Sequence, residues 1–179
     1  MRYILLITLV LLPVMAQKKH DHDHDHGHKH SKTQKAHDHG SAQLDIAVDG
    51  KNADFELHAA AMGVVGFEHV ATSAADQKKQ ADALAALKTN FAKMVNFDPA
   101  AGCKVSAKSV EVNQEEPDHA EVDGHFIAQC SKDLSGQKVN FDFSKLYPAF
   151  SSVKVQVVAN NGSTGADLKG GRGSVTLPK

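Results

Sequence analysis

The chain has 179 residues, twelve of them histidines, and a formal net charge of −1. This near-neutral balance argues against nucleic acid as a partner, because binding to phosphates needs an excess of Lys and Arg. The part of the chain after residue 41 is long enough for one domain with one core, and no internal repeat is visible.

The first residues have the pattern of a secretory signal peptide. Arg2 supplies a positive charge, an apolar run covers residues 3–14, and Ala16 ends a small-residue cleavage site. The apolar run is too short to favour a membrane anchor. We therefore expect a signal peptide over residues 1–16, a periplasmic mature protein that begins at Gln17, and no membrane insertion after cleavage.

A segment rich in histidine and aspartate follows over residues 17–41. Its histidines alternate with aspartates, and apolar residues are scarce. Because little apolar surface is available to offset the entropy of ordering, the segment is expected to be disordered. The histidines of this segment are His20, His22, His24, His26, His28, His30, His37 and His39.

This histidine pattern predicts metal binding. Neutral imidazole is the commonest ligand for borderline divalent ions, and an extended chain with a histidine at every second position can fold several around one ion. The aspartates can add oxygen ligands or accept from the second ring nitrogen. Zinc fits this donor set, and copper and nickel also fit it because imidazole does not discriminate sharply among these ions. The alternatives are a polar linker, a pH-responsive tail or an expression tag.

The domain is predicted to begin with a β-hairpin followed by a long helix. Apolar and polar residues alternate over residues 43–57, with turn residues at 49–52. A connection of small residues then covers 59–65. Ser73 is expected to cap a helix that ends near Asn96, before an Asp-Pro pair.

Period-two patterns return in the second half of the chain and predict an α+β fold. The strands outnumber the helices and are joined by short turns, which favours a mostly antiparallel β-sheet with one long helix packed on it, as a single domain over 42–179. The predicted elements are a strand at 105–112 with a bulge near Lys108, a turn at 114–118, strands at 119–130 and 139–143, a helical turn at 144–150, a strand at 153–157, a turn at 160–162 and a closing strand at 174–177.

Cys103 and Cys130 are the two cysteines of the chain. Their spacing is not that of a CxxC pair, so neither a thiolate zinc site nor a redox motif is favoured. In an exported protein a structural disulfide is the better interpretation. Both residues lie at inward positions of neighbouring predicted strands, which suits the close approach that a disulfide needs.

Several short motifs occur in a fixed order between residues 37 and 160. They are His39-Gly40, Val65-Gly66-Phe67-Glu68-His69, Pro99-Ala100-Ala101-Gly102-Cys103, His119-Ala120, Leu146-Tyr147-Pro148-Ala149-Phe150 and the strand 153–157. In this order they resemble the ZrgA-type zinc-regulated periplasmic proteins, a family linked to bacterial zinc uptake. The resemblance implies a zinc-binding accessory to metal import, with a zinc ABC importer or its solute-binding protein as the partner.

A second metal site is predicted on the polar face of strand 119–130. Neighbours at i and i+2 lie about 7 Å apart along a strand and can nearly share an ion, whereas His119 and His125 are separated by roughly 20 Å. This leaves His119 with Glu121, or His125 with Asp123, each completed from elsewhere. The family motif at position 119 favours His119.

The expected completing ligands of this second site are His69, from its loop, and, as a mobile fourth ligand, His39 or another histidine of the His-rich segment. The alternative interpretation is a solvated polar sheet face. His58 is interpreted as a surface histidine.

These observations favour metal binding over catalysis. No GxSxG or HExxH motif is present, and a disordered segment cannot supply the three fixed ligands of a zinc enzyme. The favoured function is to capture zinc in the periplasm and assist its uptake. The alternative is a copper or nickel buffer or resistance protein that delivers to no importer.

Overall fold

The computed structural model describes residues 39–179. The predicted signal peptide and the histidines from His20 to His37 lie outside these residues. The described part is mostly β-strand with one long helix, as predicted for an α+β fold. Neither of its α-helices has the length and apolar character needed to cross a bilayer.

The described residues form strands β1 to β9, helices α1 and α2, and a short 3₁₀ helix. The strands are β1 Ser41–Asp49, β2 Asn52–Ala60, β3 Val95–Asn96, β4 Lys104–Glu116, β5 His119–Gln129, β6 Lys138–Asp142, β7 Ser152–Ala159, β8 Gly162–Lys169 and β9 Arg172–Thr176. The helices are α1 Ala61–Val64 and α2 Ala74–Met94, and the 3₁₀ helix covers Pro99–Ala101.

Six of these strands form one sheet in the order β4-β5-β2-β1-β7-β8, and the other three form a sheet in the order β3-β6-β9. All neighbouring strands are antiparallel except β1 and β7, which run parallel. The predicted preference for antiparallel pairing is therefore confirmed. The parallel pair and the division into two sheets were not predicted.

Alternation along each strand gives the six-stranded sheet two different faces. Leu44, Phe55 and Phe126 are completely buried on one face, which we call the inner face. The opposite face, the outer face, carries polar residues such as Glu56 and His125. Side chains of β5 alternate between the two faces as predicted, and the bulge expected near Lys108 is present as a register shift in β4.

Helix α2 packs on the inner face. The ring of Phe91 stacks on Phe126 with a centroid distance of 3.6 Å and meets Phe55 edge-on at 5.7 Å. The three-stranded sheet contributes Val139 and Phe141 to the same core. Because apolar residues of α2 and of both sheets meet here, this core fixes the positions of the strands that carry the outer-face residues.

The start of α2 agrees with the prediction. The Ser73 hydroxyl accepts a hydrogen bond from the backbone N–H of Asp76 at 3.1 Å and donates to its carboxylate at 2.7 Å. These contacts satisfy an otherwise unpaired N–H of the first turn. The Ser73 hydroxyl, and next His69, hold the pKa of Asp76 below its usual range. The helix ends two residues before the predicted Asn96, because Val95 and Asn96 pair with β6.

The predicted disulfide between Cys103 and Cys130 is present. Cys103 directly precedes β4, and Cys130 directly follows β5. The bond therefore joins the open end of the β4–β5 hairpin, whose turn lies at the other end.

Three local predictions differ from the structure. The turn predicted at 114–118 is tighter, because β4 continues to Glu116 and β5 begins at His119. The connection at 59–65 contains the short helix α1. Strand β8 was not predicted, because its sequence is polar and glycine-rich and it lies at the sheet edge, where only Leu168 is fully buried.

Candidate metal centre

A buried carboxylate, Glu68, lies between two histidines near one end of the six-stranded sheet. Its side chain is only 7% exposed. One carboxylate oxygen, Oε1, lies 2.9 Å from His39 Nδ1, and the other, Oε2, lies 3.6 Å from His119 Nδ1. His39 lies two residues before the start of β1 and His119 is the first residue of β5, so the strand arrangement brings both to Glu68.

The loop that carries Glu68 is fixed to the β4–β5 turn. The side-chain amide of Gln114 donates to the backbone carbonyls of Glu68, at 3.0 Å, and of His119, at 3.1 Å. The backbone N–H of Val70 donates to the carbonyl of Pro117 at 3.2 Å. These bonds hold the buried carboxylate beside His119.

The chemistry of this cluster defines the tautomer of His39. A carboxylate only accepts hydrogen bonds, so His39 donates to Glu68 from Nδ1. In the neutral ring the lone pair is then on Nε2, the nitrogen that can bind a metal. Orientation of a ligand histidine by a carboxylate on its other nitrogen is a common arrangement around protein-bound zinc.

The remaining residues predicted for this site are more widely spread. His69 is 54% exposed, its ring stacks on Phe67 at 4.5 Å, and its Nε2 lies 3.4 Å from the Asp76 carboxylate. The structure thus brings Glu68, rather than its neighbour His69, to His119. Glu121 and His119 line the same shallow depression on the outer face.

A second cluster lies further along the outer face. His125 Nε2 is 2.9 Å from Asp54 Oδ1 and 3.8 Å from Glu56 Oε1. Within residues 39–179, this is the one trio of His, Cys, Asp or Glu whose ligand atoms all lie within 4.8 Å of one another. The sheet register produces it, because Asp54 and Glu56 point to the same face of β2 and His125 lies opposite Glu56 on β5.

The contacts of the Asp54–Glu56–His125 trio leave its histidine nitrogen unsatisfied. His125 Nε2 is shielded from water, yet it forms no aligned hydrogen bond in spite of its short distance to Asp54. Among the described residues, no Lys or Arg forms an ion pair with Asp54 or Glu56.

A third histidine of the outer face is directly paired with a carboxylate. His58 Nδ1 and Asp123 Oδ1 form a hydrogen bond of 2.7 Å across β2 and β5. Asp123 is therefore engaged with His58, and His125 has Asp54 and Glu56 as its acidic neighbours.

Sequence reasoning did not assign Glu68, Asp54 or Glu56 to a site. Glu68 is part of the VGFEH motif, but no local pattern indicated that its side chain would be buried. Asp54 and Glu56 were visible as alternating polar positions. Their approach to His125 depends on the register between β2 and β5, which no local pattern reveals.

Comparison with known proteins identifies a family for this chain. No curated protein matches it. The family model described as "ZrgA family zinc uptake protein" matches residues 36–177. The match covers Glu68 and His119, and also Asp54, Glu56 and His125. The chain therefore belongs to the ZrgA family of zinc uptake proteins.

Proposed function

We propose that this protein captures zinc in the periplasm and passes it to a zinc uptake system, by binding and transfer rather than by catalysis. The family supports the choice of zinc over copper or nickel. The observation that carries the proposal is the buried Glu68 carboxylate with an imidazole nitrogen near each of its oxygens.

The burial of Glu68 indicates a specific role for its charge. A carboxylate withdrawn from water costs several kcal/mol unless it is hydrogen-bonded or paired, so a residue at this position is expected to have partners. Its partners here are His39 and His119. By accepting from Nδ1 of His39, Glu68 would fix the orientation of that ring and raise the basicity of its Nε2, the nitrogen that would bind zinc. The second carboxylate oxygen lies 3.6 Å from Nδ1 of His119, so a small shift of that ring on zinc binding would give it the same support.

The two histidines differ in exposure, and this difference suits capture followed by release. The side chain of His119 is 13% exposed, whereas that of His39 is 56% exposed. His119 would be the fixed ligand and His39 the accessible one. His39 is also the last histidine of the His-rich segment, so along the chain it links that segment to the folded part.

The proposed location and partner have separate support. The signal-peptide pattern at residues 1–16 and the Cys103–Cys130 disulfide are typical of an exported protein. The proposed recipient is a zinc ABC importer or its solute-binding protein, since an accessible ligand such as His39 can be replaced by a ligand of the recipient.

The Glu68→Gln variant of the full chain tests this proposal. Gln keeps the size of the side chain but removes the charge, and loss of such a supporting partner weakens metal affinity by about 10- to 100-fold. We expect this loss for the tightest zinc ion, measured by competition with a chromophoric chelator. Glu111→Gln, an exposed change on β4, is the matched control and should leave the affinity unchanged.

The cellular arm of the test measures growth under zinc limitation. In a strain that lacks the gene, the wild-type chain should restore growth and Glu68→Gln should restore it poorly. If Glu68→Gln and Glu111→Gln bind zinc with equal affinity, Glu68 is not part of the site. Failure of the wild-type chain to restore growth would contradict the role in uptake.

A further inference from the structure

We propose that Asp54, Glu56 and His125 form a second, separate metal site on the outer face, with one nitrogen and two oxygen ligands for a divalent ion of the zinc class. The proposal relies on the proposed function only for the identity of the ion as zinc. The existence of the site rests on the geometry and charge of the three side chains.

The spacing of the trio fits a single zinc ion. With ligand bonds of about 2.0–2.2 Å, two donors of a tetrahedral zinc site lie roughly 3.4 Å apart. The observed distances from His125 Nε2, 2.9 Å to Asp54 and 3.8 Å to Glu56, lie on either side of this value. Small side-chain rotations on rigid strands would therefore gather the three donors around one ion.

The charges around the trio also favour a cation. Asp54 and Glu56 are neighbours on one face of β2, and Asp45 lies directly opposite Glu56 on β1. Like charges at such positions repel each other and destabilise a sheet. In the described part of the chain, no Lys or Arg pairs with Asp54 or Glu56 to neutralise this repulsion. A bound divalent ion would neutralise it.

The nearby His58–Asp123 pair provides an internal comparison. There the imidazole and the single carboxylate satisfy each other through a 2.7 Å hydrogen bond. His125 instead has two acidic neighbours and a water-shielded Nε2 without an aligned hydrogen bond. The arrangement at His125 is thus the one that an ion would complete.

Three protein ligands leave one position of a tetrahedral ion open. In structural zinc sites four protein ligands close the coordination sphere, whereas three ligands leave room for water or an incoming group. The trio would therefore hold a zinc ion that a fourth ligand from another molecule can reach. This property distinguishes it from a site that only stabilises the fold.

The test must distinguish zinc bound at this site from zinc bound by the histidine-rich segment. We would titrate the isotope-labelled full chain with Zn²⁺ and follow backbone amide shifts by NMR. Shifts at Asp54, Glu56 and His125 that saturate with zinc and reverse with a chelator are expected. They should be lost in His125→Asn and retained in His58→Asn, the matched control on the same face.

A second variant guards against an effect on folding. Glu56→Gln removes one ligand charge at an exposed position, and it should also abolish the shifts at Asp54 and His125. Because it relieves repulsion between like charges, its melting temperature without zinc should be equal to or higher than that of the wild type. Unchanged amides in the zinc-saturated wild-type chain, or equal shifts in the His125→Asn and His58→Asn variants, would overturn the proposal.

The outcome is distinguishable from failure of the proposed function. In Glu68→Gln the shifts at Asp54, Glu56 and His125 should persist, because Glu68 forms no hydrogen bond or ion pair with any of these three residues. Loss of the shifts in Glu68→Gln would show one coupled site and would contradict a separate one.

Discussion

The inner and outer faces of the six-stranded sheet are built from alternate residues of the same strands, but they carry opposite kinds of side chain. On the inner face, Phe55 and Phe126 are fully buried and pack against Phe91 of α2. On the outer face, Glu56 and His125 occupy the neighbouring positions and remain accessible in part. One strand thus contributes to two environments.

The two faces therefore have different roles: residues of the inner face stabilise the fold, and residues of the outer face can bind a metal ion. Burial of an aromatic side chain on the inner face contributes several kcal/mol and fixes the register. Polar pairs on the outer face contribute little to stability, because water screens their charges. The outer face can therefore hold like charges and an imidazole nitrogen without a hydrogen bond, which the inner face could not tolerate. The stable inner face keeps these metal-ligand atoms in place for an ion.

Phe126→Ala should give the largest loss of stability. Removal of a buried aromatic ring costs about 3–5 kcal/mol in the free energy of unfolding. The neighbouring Ile127→Ala change, on the outer face, should cost about 1 kcal/mol. Denaturant unfolding of both variants measures the difference. Equal losses would contradict the division of roles between the two faces.

Removal of the disulfide should reduce stability less than Phe126→Ala does, and it should leave the metal ligands of the outer face in place. The Cys103–Cys130 bond closes a loop with a sequence separation of 27 residues. The chain-entropy model gives about 3–4 kcal/mol for a loop of this size. We expect this loss in the double variant Cys103→Ser and Cys130→Ser, measured by denaturant unfolding.

Reductant provides the control for the disulfide prediction. Added to the wild-type chain, it should reproduce the loss of stability, and added to the double variant it should change nothing. Zinc-dependent amide shifts at His125 should survive in the double variant at low denaturant. Their loss there would mean that the outer face depends on the disulfide and not on the inner core alone.

His58→Asn should have the smallest effect. Its partner Asp123 is 30% exposed and His58 itself is 45% exposed, so water screens the pair. Such pairs contribute about 0–1 kcal/mol to the free energy of unfolding. The melting temperature should remain close to that of the wild type, and Asp123→Asn should behave alike. A loss similar to that of Phe126→Ala would contradict the comparison.

Patterns contained in one stretch of sequence were sufficient to predict much of the fold. The alternation along β5, the bulge near Lys108 and the Ser73 cap of α2 are local features, and each agrees with the structure. The disulfide was predicted from the signal-peptide pattern and from the positions of Cys103 and Cys130.

Features that join distant segments could not be predicted in this way. The parallel pair of β1 and β7 depends on the packing of the whole sheet. Likewise, the partners of His119 and His125 are a loop residue, Glu68, and residues of β2. A sequence pattern indicates which side chains share a face of one strand, but not which strand lies beside it.

The parallel pairing of β1 with β7 also determines the order in which the sheet can assemble. The hairpins β1–β2, β4–β5 and β7–β8 connect neighbouring segments and can form quickly. Strand β1 must wait for β7, which follows much later in the chain, and until then one of its edges is unpaired. We expect docking of the β7–β8 hairpin to be the slow folding step, during which the unpaired edge of β1 can pair wrongly with another copy.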